Sequence, residues 1–236
     1  MFEGKSVCAI IPALDESQTI GDVVAGIDRT IVDRVIVADN GSSDGTAGVA
    51  ASAGAEVVFE PRRGYGSACM AAMRTCSCDI TVFLDGDGSD PPAAIPRLLK
   101  AMKTCDADIV IGSRVLGLSG SGALTPIQRF GNWLTCELVG AFWKYTYTDL
   151  GPFRAASREA LEKLGMCDPD YGWTIEMQVK AARLGLKVCE VPVRALPRQG
   201  GKSKVSGTIS GSYRAGKRIL GYVLSQKLAE LGLRRG

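Results

Sequence analysis

The strongest constraint on this chain is a regular alternation in its first half. Short apolar, β-branched runs at residues 7–11, 34–38, 56–59, 80–84 and 108–112 alternate with segments of helical spacing. Helices are predicted over about 17–28, 44–53, 66–75 and 92–103. Runs that are apolar throughout, rather than every second residue, belong to strands covered on both faces. Joined by amphipathic helices, they predict an α/β fold with a mostly parallel central sheet flanked by helices. Open sheets of this kind bind ligands beyond the carboxyl ends of their strands. Chemistry is therefore expected where each strand stops.

Past residue 112 the alternation ends. Residues 115–125, with Gly117, Gly120 and Gly122, read as a mobile loop, and a helix is predicted over 126–144. An extended piece near Asp149, a helix over 173–184 and a strand over 188–193 follow. The last helix starts near residue 208. It carries Leu220, Leu224, Leu228 and Leu231 on one stripe and Arg214, Lys217 and Arg218 on another face. No repeat or linker divides the 236 residues, a length that suits one domain.

Charge is unevenly spread. Residues 1–201 carry 20 Lys and Arg against 24 Asp and Glu, whereas residues 202–236 carry 8 basic residues against Glu230 alone. A basic end on an acidic body suggests an anionic partner, such as phosphate or a membrane surface. No segment approaches the roughly 20 apolar residues of a spanning helix. The first residues lack the apolar run and cleavage site of a secretory leader, so a cytoplasmic location is expected. Histidine is absent, which excludes Ser-His-Asp and Cys-His mechanisms and an imidazole base. The eight cysteines include no Cys-x-x-Cys pair and fall mostly in apolar patterns, as reduced structural thiols do.

Three strand ends carry polar clusters. The first strand runs into Pro12-Ala13-Leu14-Asp15-Glu16, with none of the glycine spacing of a dinucleotide fingerprint. The second runs into Asp39-Asn40-Gly41-Ser42-Ser43-Asp44-Gly45-Thr46, where Asp39 is placed to accept hydrogen bonds from a base or ribose. Ser43 or Asp44 is placed to cap the next helix. The fourth delivers Asp85-Gly86-Asp87-Gly88-Ser89-Asp90. Residues two apart leave a strand on the same face, so Asp85 and Asp87 point together and repel unless a cation or proton intervenes. Hard oxygen ligands favour Mg²⁺ or Mn²⁺. No glutamate at the twelfth loop position and no preceding helix support an EF-hand.

With these clusters in order, the sequence resembles the family 2 glycosyltransferases of the GT-A fold, and among them the dolichyl- and polyprenyl-phosphate mannose or glucose synthases. Further carriers of the likeness are Gly112-Ser113-Arg114, Asp149-Leu150-Gly151-Pro152-Phe153-Arg154 and Gly201-Lys202-Ser203-Lys204. The resemblance implies an inverting, metal-dependent transfer of a hexose from a nucleotide sugar of the GDP-mannose or UDP-glucose type. It implies that Pro12, Ala13, Glu16 and Asp39 hold the nucleoside, with Asp85 beside them. Asp85 and Asp87 match the metal motif, and Arg198, Ser203 and Lys204 match a basic motif that closes over the diphosphate.

The acceptor is read from what is missing. Many relatives that glycosylate hydroxyls place a Glu-Asp base pair where Trp173 and Thr174 stand here. A phosphate acceptor, already ionised near neutrality, needs no such base. A register shifted by two residues would instead offer Glu176 as a base or as a partner of a neighbouring arginine. Catalytic roles are thus expected of Asp87, Arg114 and Glu176, and acceptor contacts of Arg114, Arg129 and Arg154, because guanidinium forks suit phosphate oxygens. The predicted helix after Pro126, with Phe130, Trp133 and Trp143, would lie at a bilayer boundary.

The expected organisation is one catalytic domain over 1–205, with a nucleotide half (1–113) and an acceptor half (114–205), then a basic amphipathic helix over 206–236. Its partners would be a nucleotide-sugar donor, a polyprenyl phosphate, the cytoplasmic face of a membrane and a second copy of the chain, but not nucleic acid. The rivals are a soluble family member acting on a small hydroxyl, a sugar nucleotidyltransferase and a non-catalytic nucleotide-sugar binder.

Overall fold

Strand β1 (Val7–Ala13) shows why this sheet is covered on both faces. Cys8 and Ile10 point into one apolar cluster, while Val7, Ala9, Ile11 and Ala13 point into a second on the other side. The structure is a computed structural model. It describes residues 1–117, 124–200 and 209–232, with side chains in the last stretch from 216 onward. Around β1 lie β2 (Arg34–Asp39), β3 (Glu56–Phe59), β4 (Ile80–Phe83), β5 (Ile109–Ser113), β6 (Arg154–Ser157) and β7 (Val188–Pro192). They form one seven-stranded sheet in the order β3-β2-β1-β4-β6-β5-β7. β1 is parallel to β2 and β4, and β5 is parallel to β7. Only β6, wedged between β4 and β5, runs antiparallel.

The first core is roofed by α3 (Tyr65–Thr75), α5 (Pro126–Trp143), α6 (Arg158–Leu164) and α7 (Trp173–Leu184), and by α8 (Ile209–Glu230) through Val223. The second is roofed by α1 (Ile20–Ala25), α2 (Thr46–Ser52) and α4 (Ile95–Thr104). Ile10, Ile11, Leu98 and Leu99 are all fully buried. Truncating any one to alanine is expected to cost about 2–5 kcal/mol.

The predicted alternation is present, but four elements differ. β6 and α6 lie in a stretch where only an extended piece near Asp149 was expected. The β6 sequence Arg-Ala-Ala-Ser has no β-branched residue, so it carries no strand signal, and it pairs because its small side chains fit between two larger strands. β3 is not buried on both faces: it is the sheet edge, and Phe59 is exposed. The last helix buries Val223, with Ile219 and Tyr222 against the core, rather than the leucine stripe. Leu224 and Leu231 face outward. That rotation is fixed where Arg183 of α7 pairs with Glu230 at 2.7 Å and Trp143 Nε1 donates to Glu230 at 2.8 Å. Most of the expected glycine-rich loop, 118–123, lies outside the described residues.

Candidate active site

The carboxyl ends of β1 and β4 open into a cleft of about 840 Å³. Two loops at its floor are laced together by backbone donors. The Asp15 amide donates to Ser42 Oγ, the Ser43 amide to Asp15 Oδ1, and the Glu16 amide to Thr46 Oγ1, at 2.8–2.9 Å. Asp44 accepts from the Ser17 and Thr46 amides, while the cap of α2 is Gly45, without a side-chain bond. Pro12, Ala13 and Glu16 thereby line the cleft. Asp39 does not. It is buried, and its Oδ1 accepts from the Ser42 amide at 3.1 Å. The next residue, Asn40, lines the cleft instead, its amide nitrogen donating to the carbonyls of Glu60 and Arg62.

The loop after β4 holds three carboxylates. Asp90 Oδ2 accepts from the Asp85 amide at 3.0 Å, and Asp87 Oδ1 from the Ser89 amide at 2.9 Å. Gly88 turns the loop with φ +76°, and a Cβ there would press on Gln199. The segment 196–199 closes over this turn: the Leu196 amide donates to the Ser89 carbonyl and the Gln199 amide to the Asp87 carbonyl. Arg198 then bridges Asp87 Oδ2 at 2.8 Å and Glu16 Oε1. Asp85 Oδ1 and the nearby Tyr65 hydroxyl are buried with no hydrogen-bond partner among the described residues. Burial, with the charges of Asp90 and Asp87 adding to it, pushes the Asp85 carboxyl well above the ordinary carboxylate range. Burial likewise pushes Asp90 up to about 7, against the pull of the Asp85 amide and of Arg114. Buried acids this crowded are short of positive charge, and an orphaned carboxylate oxygen is a free ligand position. The donor set of Asp85, Asp87 and Asp90 is all hard oxygen and fits Mg²⁺ or Mn²⁺.

Arg114 faces these acids from the end of β5. Its Nε and Nη2 form a fork on Asp149 at 2.8 and 2.7 Å, and its amide donates to the same carboxylate at 2.7 Å. Burial works against the guanidinium charge, but the Asp149 hydrogen bonds and charge outweigh it and raise its pKa. Arg63 and Arg218 also line the cleft, and Arg218 pairs with Asp168 at 2.8 Å. The wall carrying Asp168 can approach α3 because Gly66 has no side chain: a Cβ there would sit 1.9 Å from the Asp168 carbonyl oxygen.

Besides Asp39, three expected site residues are elsewhere. Arg154 is buried beneath the cleft, donating to the carbonyls of Gly151, Thr174 and Leu150 and to Gln178 Oε1 at 2.7–3.1 Å. Burial lowers its pKa to about 10. It is a strut for the 150–154 turn, not a phosphate ligand. Glu176 is fully buried and accepts from the Cys167 amide at 3.0 Å and the Asp168 amide at 2.7 Å, with Lys180 at 2.7 Å. Burial alone would raise its pKa; the bonds from Cys167 and Lys180 hold it lower instead. A low-pKa carboxylate sealed from the cleft is not a base for an acceptor. Arg129 is exposed on α5 and does not line the cleft. Ser203 and Lys204 lie outside the described residues.

Sequence reasoning missed Tyr65, Asn40, Asp90 and Asp149 as site residues. Asp90 could have been found, since it shares the acidic turn of Asp85 and Asp87. Tyr65 carries no such signal.

The model for glycosyl transferase family 2 matches residues 8–165. The chain belongs to that family. An uncharacterised glycosyltransferase of Mycobacterium tuberculosis is 38% identical to this family 2 glycosyltransferase over 211 residues, 89% of this chain and 94% of the relative. An undecaprenyl-phosphate mannosyltransferase of Micrococcus luteus is 33% identical over 87% of this chain and 89% of its own. Among solved structures, the glucosyl-3-phosphoglycerate synthase of Mycobacterium tuberculosis, in complex with Mn²⁺, UDP-glucose and phosphoglyceric acid, superimposes with a TM-score of 0.78. It is 25% identical, covering 99% of this chain and 82% of that one. These likenesses bear out the GT-A fold and the glycosyltransferase activity expected from sequence.

Proposed function

We propose that this glycosyltransferase moves a hexose, with inversion, from a nucleotide sugar to a polyprenyl phosphate presented at a membrane surface. The nucleotide half, 1–113, binds the donor, and the acceptor half, 114–205, approaches from the side of α5 and α7. Pro12, Ala13 and Asn40 border the nucleoside. Asp85, Asp87 and Asp90 would hold a divalent cation at the donor site. That ion supplies Lewis-acid neutralisation of the charge left on the departing nucleoside diphosphate. Arg198 bridges Glu16 and Asp87 and so keeps the closing segment over the same place, and Arg114 presents its charge toward the acceptor. One phosphate oxygen of the acceptor forms the new bond at the anomeric carbon as the bond to the diphosphate breaks on the opposite face. With Glu176 sealed away, this route asks no side chain to remove a proton.

The observation that carries the lipid acceptor is an apolar stripe at the cleft rim. Helix α5 is capped by Thr125, whose side chain and that of Gln128 form a capping box, and both residues line the cleft. On the outer side of the same turns, Ile127, Phe130 and Trp133 are 62%, 61% and 55% exposed, and the two rings pack at 5.9 Å. Exposed aromatics beside a cleft that also carries Arg63, Arg114 and Arg218 suit the boundary of a bilayer. No helix among the described residues is long and apolar enough to cross a membrane, so attachment would be peripheral.

A second reading, transfer to the hydroxyl of a small phosphorylated acid, is favoured by the likeness to glucosyl-3-phosphoglycerate synthase and by Asp170, a carboxylate that lines the cleft and could serve as base. The deciding assay offers UDP-glucose and GDP-mannose with Mn²⁺ to polyprenyl phosphate in vesicles and, separately, to 3-phosphoglycerate. Product on the lipid, insensitive to Asp170→Asn, supports the first reading. Product on phosphoglycerate alone, lost in Asp170→Asn, replaces it with the second.

A further inference from the structure

Three thiols meet at the end of the sheet opposite the cleft. Cys8 is the second residue of β1, Cys76 ends α3, and Cys78 stands two residues before β4. Their sulfur atoms all lie within 4.8 Å of one another. Cys8 and Cys78 are buried and Cys76 is half-buried, so the cluster is enclosed except beside Cys76. From Cys8 to Ala13 at the cleft, five residues of extended chain span roughly 16 Å, which keeps this cluster clear of the acidic site. Packing as small hydrophobes accounts for each cysteine singly. It gives no reason for three sulfurs from two separate segments to converge on one point.

We propose that Cys8, Cys76 and Cys78 bind one thiophilic d¹⁰ metal ion, Zn²⁺ or Cu⁺, as thiolates. A metal–sulfur bond of about 2.3 Å sets three sulfurs about 3.8–4.0 Å apart around one ion. The cluster reaches that spacing with shifts of less than an ångström. Soft sulfur ligands select Zn²⁺ or Cu⁺ over Mg²⁺ and Mn²⁺, so the two sites of this chain sort their metals by chemistry. Binding releases three thiol protons and leaves a net negative complex. Arg34, in register with Cys8 on β2, donates to the Thr75 carbonyl at 2.9 Å and is paired with Glu56 at 2.6 Å, so it borders the cluster without supplying a free charge. The Thr81 hydroxyl, 3.7 Å from Cys76 Sγ, is placed to donate to a bound sulfur. No histidine exists to complete a tetrahedron, so Zn²⁺ would take a water on the open side of Cys76, whereas Cu⁺ is complete with three sulfurs. The ion would tie β1 to the α3–β4 connection and stabilise the fold.

The test uses the full chain, metal-free and reduced with a phosphine. Titration with Co²⁺ should raise a thiolate-to-cobalt charge-transfer band that saturates at one equivalent and is bleached by Zn²⁺. The oxygen ligands of the acidic cleft cannot produce that band. A parallel titration against a Cu⁺ chelator tells which ion is held more tightly. Cys76→Ser and Cys78→Ser should lose the band, and Cys105→Ser, at an exposed thiol ending α4, should keep it. Alkylation of the wild type read by mass spectrometry should show Cys76 and Cys78 protected by Zn²⁺, whether or not the variants fold. Absence of the cobalt band together with no retention of Cu⁺ against the chelator, survival of the band in both cluster variants, or alkylation unaffected by both Zn²⁺ and Cu⁺ would each overturn the proposal.

Discussion

Replacing Glu176 by glutamine removes one charge and keeps the side-chain volume. The carboxylate serves two backbone amides and Lys180 from a fully buried position. An amide retains one acceptor oxygen, so its NH₂ must face either the Asp168 amide or the Cys167–Lys180 side, donor against donor. Losing a hydrogen bond to a charged group costs about 1.5–3 kcal/mol, and stranding a buried donor adds about 1–3. Lys180 is partly solvated, which tempers the loss of the ion pair. A destabilisation of about 3 kcal/mol is expected. In a domain of this size, that lowers the melting temperature by roughly 6–12 °C. Turnover assayed well below the transition should stay near wild type, because Glu176 does not reach the cleft. Differential scanning fluorimetry and steady-state kinetics on the same preparation check both halves. An unchanged melting temperature with turnover reduced a hundredfold would restore Glu176 as a base and refute this reasoning.

Arg114→Lys keeps a charge but breaks the fork on Asp149, and should raise the acceptor KM or lower turnover about tenfold to hundredfold with donor affinity little changed; an equal loss of donor affinity would move Arg114 to the diphosphate site. The raised pKa values of Asp85 and Asp90 mean that the native state binds more protons than the unfolded chain between about pH 4 and 7. Stability of the metal-free protein should therefore fall as pH rises from 5 to 7, and Mn²⁺ should stabilise more at pH 7 than at pH 5; thermal melts showing the opposite slope would contradict the acid-cluster argument. Sedimentation with anionic vesicles should recover the protein, and Phe130→Ser with Trp133→Ser should release it while leaving donor binding intact; unchanged recovery would place the attachment elsewhere.

The parallel half of the fold was legible because buried strands and amphipathic helices write their period into the sequence. β6 was not, since one arginine followed by three small residues has no periodic signature. The acid turn was legible because Asp85, Asp87 and Asp90 crowd one strand end, although Asp85 and Asp87 lie beyond β4, where strand alternation no longer orients them. Arginines were the least legible. Arg114, Arg129 and Arg154 have similar local sequence signals, yet one reaches the cleft, one is exposed outside it and one is a buried strut. What separates them is Asp149, Gly151 and Thr174, partners set by tertiary packing. In the C-terminal helix, Arg218 pairs with Asp168 and Lys227 lies over the rings of Phe142 and Trp143, partners that the sequence does not reveal.

The central claim is that the carboxylates at the end of β4 hold the cation on which donor binding depends. Isothermal titration of UDP and GDP into the wild type and Asp87→Asn, each with Mn²⁺ and with chelator, tests it most directly. The account predicts that one nucleotide binds the wild type at least tenfold more tightly with Mn²⁺, and that Asp87→Asn, still folded by circular dichroism, loses this metal-dependent gain. Metal-dependent affinity in Asp87→Asn equal to that of the wild type would contradict it.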